Sequence, residues 1–309
     1  MNRRLLYQVP VSVLVVFLLG SVFYYALCKG LRRTDRDSIG KFNYLVNDTT
    51  RYNTLFVGSS RVHTALNPVI FDSINGTHSF NAGMDGIRIT ELNLIVKKFI
   101  KSHHAPDNIF INIDGTTLSV TQGVWQFPQY YPYIHDPDFR ELTDLEPKLK
   151  LGKYAPALAL TYFDDPLKNL GLIGLTKKGG NYEELVSLKG FQPTPPHELT
   201  TDTAALVADF AREPRGWQLL EETLNYCREN NVHIYFLIAP MYNYTLADSA
   251  QVFFQKLDSI QRAYNVQTFN FMNDKRFDSP KLFADRTHLN SVGAEMYSAI
   301  VARQFKGNR

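Results

Sequence analysis

The chain has 309 residues, 44% of them apolar and 20% charged, with a formal net charge of +3. That length and balance suit a sizeable globular core and exclude a disordered or fibrous chain. The small positive charge, with no basic stretch interleaved with aromatics, excludes a nucleic-acid partner. Cys28 and Cys227 are too few for a disulfide framework or a cysteine-rich metal site.

In chain order, residues 9–27 (VPVSVLVVFLLGSVFYYAL) carry no charge and are long enough to cross a bilayer core at about 1.5 Å per residue. The run is long for a signal-peptide core and lacks an A-x-A site, so residues 1–30 read as an uncleaved anchor. Arg3 and Arg4 precede it; Lys29, Arg32, Arg33 and Arg36 follow it. Taken literally, the positive-inside rule leaves the rest of the chain in the cytoplasm by a narrow margin. Residues 31–52 read as a basic juxtamembrane linker.

Residues 53–309 then alternate strand and helix patterns. TLFV (54–57), HSFNAG (78–83), NIFINID (108–114), VHIYFLIAP (232–240) and VQTFNF (266–271) are apolar strands. Between them, residues 89–104, 216–231, 249–264 and 290–305 repeat apolar side chains at helical spacing. Strands alternating with helices predict parallel pairing, an α/β, flavodoxin-like three-layer sandwich. The Gly-Ser-Ser, Asn-Ala-Gly and Asp-Gly-Thr-Thr turns all fall at carboxyl ends of strands, where such sheets bind ligands. From about 118 to 202 the alternation lapses into a stretch dense in aromatics, prolines and glycines, expected as an irregular insertion or lid. His103 and His104, after the helix of 89–104, are expected as solvated C-terminal residues.

Two blocks carry chemistry. In TLFVGSSRVH, a tight turn after a strand exposes Ser60 to a base and a substrate; the alternative is that Ser59 and Ser60 cap the next helix. In LFADRTHLNS, Asp285 stands three residues before His288 and can accept the imidazole Nδ1–H, leaving Nε2 as a base. Asn290 or Ser291 would cap the helix behind. Gly83, in FNAGMDG, could turn its N–H toward a developing oxyanion, or could simply shape a strand-to-helix turn.

The order of these blocks resembles the SGNH (GDSL-like) hydrolase family. The resemblance covers residues 54–304 apart from the insertion. It implies Ser60 as nucleophile, Asp285 and His288 as its triad partners, and the Ser60 and Gly83 N–H groups as an oxyanion hole. The family's third oxyanion donor, an asparagine after the third strand, is replaced here by the turn of Asp114, Thr116 and Thr117. Thr116 or Thr117 is a candidate substitute, and Arg61 and Arg88 are candidates by location. Arg61, Arg88, Trp125 and Tyr130 are candidate substrate contacts. Trp125, Phe127, Tyr130, Tyr131 and Tyr133 could stack on sugars, meet the membrane, cover the cleft, or pack onto the sheet.

The single span and the Gly-Ser-Ser block look like the anchored members of cell-envelope acylation, such as those of teichoic-acid D-alanylation and alginate O-acetylation. That resemblance implies an esterase or O-acyltransferase on acyl esters of an envelope glycan, on the extracytoplasmic side, beside a membrane-bound O-acyltransferase. With no metal-ligand spacing and no dinucleotide fingerprint in the sequence, no cofactor and no metal are expected. The rival expectations are a non-catalytic glycan-binding or assembly subunit, and an interfacial lipid esterase.

Overall fold

A computed structural model describes residues 3–120, 123–177, 180–196, 199, 205–210 and 213–307. Parts of the expected insertion (121–122, 178–179, 197–198 and 200–202) lie outside the described residues.

In chain order the elements are α1 (Arg3–Leu31), α2 (Asp37–Asn47), β1 (Thr54–Val57), α3 (Ser60–His63), α4 (Pro68–Asn75), β2 (Ser79–Asn81), α5 (Ile89–His103) and β3 (Asn108–Asn112). There follow α6 (Arg140–Leu145), α7 (Pro147–Tyr154), α8 (Pro156–Ala159), α9 (Asp165–Thr176) and α10 (Glu183–Ser187). Then come β4 (Leu206–Ala208), α11 (Pro214–Glu229), β5 (His233–Ile238), β6 (Tyr244–Leu246), α12 (Ser249–Tyr264), β7 (Gln267–Asn270) and α13 (Ser291–Lys306). The chain divides into two compact units, residues 1–44 with 126–182, and residues 45–125 with 183–309.

The second unit is mixed α/β. Its central sheet runs β2-β1-β3-β5-β7, every pair parallel. Counted along the chain that is the 2-1-3-4-5 order of doubly wound sheets, whose switch point lies between the first and third strands. Strand side chains alternate between faces. Phe56, Phe110, Leu237 and Phe269 join Phe71 of α4 and Tyr297, Val301 and Phe305 of α13 in one buried cluster. On the other helical layer α5 meets α11, where the Asn93 amide donates to Thr223 Oγ1 at 2.8 Å. All five strands expected from the sequence are present, and β4 with β6 adds a short parallel pair that its three-residue strands concealed.

Two local expectations are corrected. His103 is buried, stacked on Phe99 at 4.3 Å, with its ring nitrogens against the carbonyls of Thr50 and Leu45. It anchors the chain that enters β1 and is not a solvated helix end. Within the span expected as a linker, residues 37–47 form α2, whose Ile39, Phe42, Tyr44 and Leu45 are buried.

The first unit is helical. Prolines that read as loop signals instead sit in the first turn of α7, α8, α9 and two short 3₁₀ segments, Phe127–Tyr133 and Pro137–Phe139. A proline costs nothing at a helix start, where its missing N–H would have been unpaired. So residues expected as irregular are a chain of short helices, with Pro147 and Pro156 following directly on the ends of α6 and α7. Their aromatics make a core in which Tyr130 and Tyr133 meet Phe42 edge-on, at centroid distances of 4.9 and 5.5 Å.

Candidate active site

β1 ends at Val57, and the chain turns at once into α3. Gly58 permits that turn: a Cβ there would meet Val62 Cγ2 at 2.5 Å and Asn112 Cβ at 2.9 Å. Ser59, in extended conformation, is the N-cap of α3 and accepts the Arg61 N–H at 3.4 Å. The capping role and the exposed-hydroxyl role are thus divided between two neighbouring serines. Ser60 occupies the first helical position, and its N–H makes no hydrogen bond among the described residues.

The Ser60 hydroxyl reaches His288 across 228 positions of sequence, with Oγ 2.6 Å from Nε2. His288 Nδ1 lies 2.7 Å from Asp285 Oδ2. A carboxylate only accepts, so Nδ1 carries the proton, and the Nε2 lone pair of the neutral ring is left to take the serine proton. Burial opposes ionisation of Asp285, but the His288 ring, the Thr287 N–H and the Thr287 hydroxyl outweigh it and hold the carboxyl well below its ordinary range.

The turn that carries this pair is closed by the Ala284 N–H donating to the His288 carbonyl (2.8 Å) and by a bridge between Phe283 and Leu289. Behind it Asn290 caps α13 through the Gly293 N–H, and its amide holds the Lys281 carbonyl at 2.8 Å. The expected cap is therefore Asn290, fully buried.

The turn after β3 does not supply an oxyanion donor. Asp114 Oδ1 accepts the Thr116 N–H, the Thr116 hydroxyl and the Thr117 N–H at 3.0, 3.0 and 3.1 Å. Oδ2 accepts the Ser59 hydroxyl at 2.9 Å and the Asn112 amide at 3.2 Å. The Thr117 hydroxyl accepts the Asp114 N–H at 2.9 Å. Both threonines thus close the turn. The charge that would have opposed an oxyanion is occupied in tying the turn after β3 to the turn that carries Ser60.

Other expected residues are also placed differently. Gly83 donates its N–H to Asn81 Oδ1 at 2.9 Å, and a Cβ on it would meet the His63 nitrogen at 2.6 Å. Its observed role is to let the turn after β2 approach α3. Arg61 is buried, with Nη2 on the carbonyls of Ala239 (2.6 Å) and Pro240 (2.9 Å) at the end of β5. Burial disfavours its charge, and Asp114 and Asp285 are among the groups that offset that. It clamps the turn and does not face a substrate. Tyr130 is buried in the aromatic core of the first unit and is no substrate contact.

Arg88 caps α5 and gives Nη1 to the Gly123 carbonyl at 2.8 Å. Trp125 is 68% exposed and lies against Gly86, where a Cβ would meet its ring at 2.6 Å. Trp125 keeps an open aromatic face. Three further residues went unrecognised in the sequence: Ser59 and Asp114 as the turn lock, and His63, one turn after Ser60, paired with Asp85 at 3.0 Å. For His63 the three-residue spacing from Ser60 was a usable signal; nothing local marks Asp114 as the partner of Ser59.

No family model and no curated protein matches the chain. Among solved structures it is similar to a protein described as a candidate lipolytic member of the G-D-S-L family from Desulfitobacterium hafniense DCB-2, at 9% identity and TM-score 0.41, over 81% of this chain and 98% of that one. It is likewise similar to a candidate acylhydrolase from Bacteroides fragilis NCTC 9343, at 11% identity and TM-score 0.41, over 89% of this chain and 100% of that one. At these identities and scores neither neighbour bears on substrate or reaction, which are read from the geometry of the site.

Proposed function

We propose that the chain is a membrane-anchored serine esterase or O-acyltransferase that works on acyl esters of a cell-envelope glycan. The observation that carries the reading is the Ser60–His288–Asp285 relay, with contacts of 2.6 and 2.7 Å in the order that nucleophilic acyl transfer needs. Ser60 Oγ attacks the ester carbonyl while its proton passes to His288 Nε2. The Ser60 N–H donates to the oxyanion of the tetrahedral intermediate. Collapse expels the alcohol, which takes the proton from Nε2 and leaves an acyl-serine. Water or a sugar hydroxyl then gives its proton to Nε2 and attacks the acyl-serine carbonyl; the bond to Ser60 Oγ breaks, Oγ takes the proton back from Nε2, and the free acid or the new sugar ester leaves. Asp285 holds the imidazole and stabilises its charged form throughout.

The glycan substrate, a membrane-bound O-acyltransferase as partner and an extracytoplasmic site follow from the block resemblance; the open face of Trp125 supplies a surface on which a sugar could stack. The helix α1, long and apolar enough over Gln8–Leu31 to cross a membrane, serves as the anchor.

One set of observations favours a second reading, a non-catalytic binding or assembly subunit: the Gly83 N–H is given to Asn81, the Thr116 hydroxyl to Asp114 and the Thr117 hydroxyl to the Asn112 carbonyl. Losing one oxyanion donor costs roughly 10²–10³ in rate. Covalent labelling of the detergent-solubilised full chain with a fluorophosphonate separates the two. Labelling that disappears in both Ser60→Ala and His288→Ala supports the enzyme. A folded wild type that takes up no probe moves the assignment to the binding subunit.

A further inference from the structure

The C-terminal third of α1 is not free to lie in lipid. Tyr24, Leu27 and Leu31 are fully buried within the first unit, whereas Val16 and Leu19 are 66% and 64% exposed. Cutting α1 away as a signal sequence would strip those three side chains from a packed core. The helix is held by small residues: Gly30 lies against Gly171 and Gly174 of α9, and a Cβ on Gly20 would meet the Ala157 Cβ of α8 at 3.0 Å.

The position of Gly20 sets a depth. The charge-free part of α1, residues 5–28, lies between Arg4 and Lys29. About 20 residues of helix cross a hydrocarbon core of about 30 Å. If the core begins next to Arg4 it ends near residue 24, and if it ends at Lys29 it includes residue 28. At about 1.5 Å per residue, Gly20 then lies between about 6 and about 12 Å inside the boundary. Whatever touches Gly20 lies at that depth as well.

What touches it is suited to that place. Residues 154–163 (YAPALALTYF) carry no charge between Lys153 and Asp164. Leu158 and Tyr162 are turned outward at 43% and 41% exposure. The backbone of this stretch pairs with itself and with the turn before it: Ala155 N–H donates to Leu151, Leu158 and Ala159 N–H to Ala155, and Phe163 N–H to Leu160. The Thr161 hydroxyl donates to the Leu158 carbonyl at 2.8 Å. Backbone that meets lipid must be satisfied in this way. Leu172 and Ile173 of α9 continue the outward apolar surface beside residues 27–30, at the interface level.

We propose that residues 154–163 are a second membrane-inserted element, dipping beside α1 into the acyl chains of one leaflet. This rests on α1 being the anchor. The test uses the full chain in phosphatidylcholine–phosphatidylglycerol vesicles, with and without lipid brominated on its acyl chains. Leu158→Cys, Val16→Cys and Asp144→Cys each carry an environment-sensitive thiol fluorophore; Cys28 and Cys227 are buried.

The expected result is that bromine quenches the Leu158 probe as strongly as the Val16 probe and leaves the Asp144 probe unchanged. Quenching at Val16 without quenching at Leu158 would overturn the inserted element and leave the anchor standing. A Val16 probe that is not quenched would overturn the anchor and the inserted element together. A Leu158 probe shielded from both brominated lipid and aqueous iodide would mean that a protein covers this face, and would also overturn the proposal.

Discussion

Removing the carboxylate of Asp114 best tests the account of the turn that carries Ser60. It accepts hydrogen bonds from Thr116 (twice), Thr117, Ser59 and Asn112, and it is one of the charges that offset the burial of Arg61. In Asp114→Asn the Oδ1 contacts can persist and the Ser59 hydroxyl can turn to accept, but the Asn112 amide would face another donor. One charge-assisted bond lost, with one donor left buried, costs about 2 kcal/mol. Asp114→Ala also abandons the Thr116 contacts and leaves Arg61 with Asp285 as the carboxylate that offsets its burial, for a loss of roughly 4 kcal/mol. At about 2–4 °C per kcal/mol for a large domain, the melting temperature in detergent should fall roughly 5 °C for Asn and roughly 10 °C for Ala. Fluorophosphonate labelling should slow in both, because Ser59 no longer anchors the turn that presents Ser60. An Asp114→Ala protein that melts within about 2 °C of wild type would refute the lock.

Glu91 is buried, and burial pushes its carboxyl up to about 7 despite the opposing Arg88 N–H and charge. A raised carboxyl stabilises the fold below its unfolded value of 4.5 and loses that contribution as pH rises through about 7. Glu91→Gln should therefore gain up to about 3 kcal/mol over wild type between those pH values, read as a pH-dependent gap in melting temperature. Gly58→Ala places a methyl against Val62 and Asn112, so the serine should label at least about tenfold more slowly in a protein that still folds. Labelling at the wild-type rate would show that the turn can relax. In α9, Gly174→Val drives a side chain into the Gly30 backbone and should lower the melting temperature; an unchanged melt would show that α1 is not packed as described.

Much of this molecule was legible in its sequence because the signals are local. Apolar runs of four to six residues marked β1, β3, β5 and β7, and the 3.6-residue stripes marked α5, α11, α12 and α13. Asp285 and His288 could be paired from spacing, since one turn fixes both. Ser60 could be suggested from the same kind of signal, but its neighbour Ser59 fitted the cap equally well, and only the fold divides the two roles.

What the tertiary structure decided is what depends on contacts between distant residues. The hydroxyl that meets His288, the carboxylate that holds Ser59 and the carbonyls that take up Arg61 are all set by strand order. Thr116 had the right chemistry for a donor and gave its hydroxyl to the adjacent Asp114, because an unpaired buried carboxylate costs more than an unfilled oxyanion site, while the Thr117 hydroxyl turned to the Asn112 carbonyl. Tyr130 had the right chemistry for a sugar and lost it to burial against Phe42. The prolines of the helical unit carried a loop signal that became a helix-start signal only where packing made a short helix worthwhile. Periodicity and spacing therefore wrote the sheet and the Asp285–His288 turn into the chain, while polar satisfaction in three dimensions chose which candidate side chains remain open for chemistry.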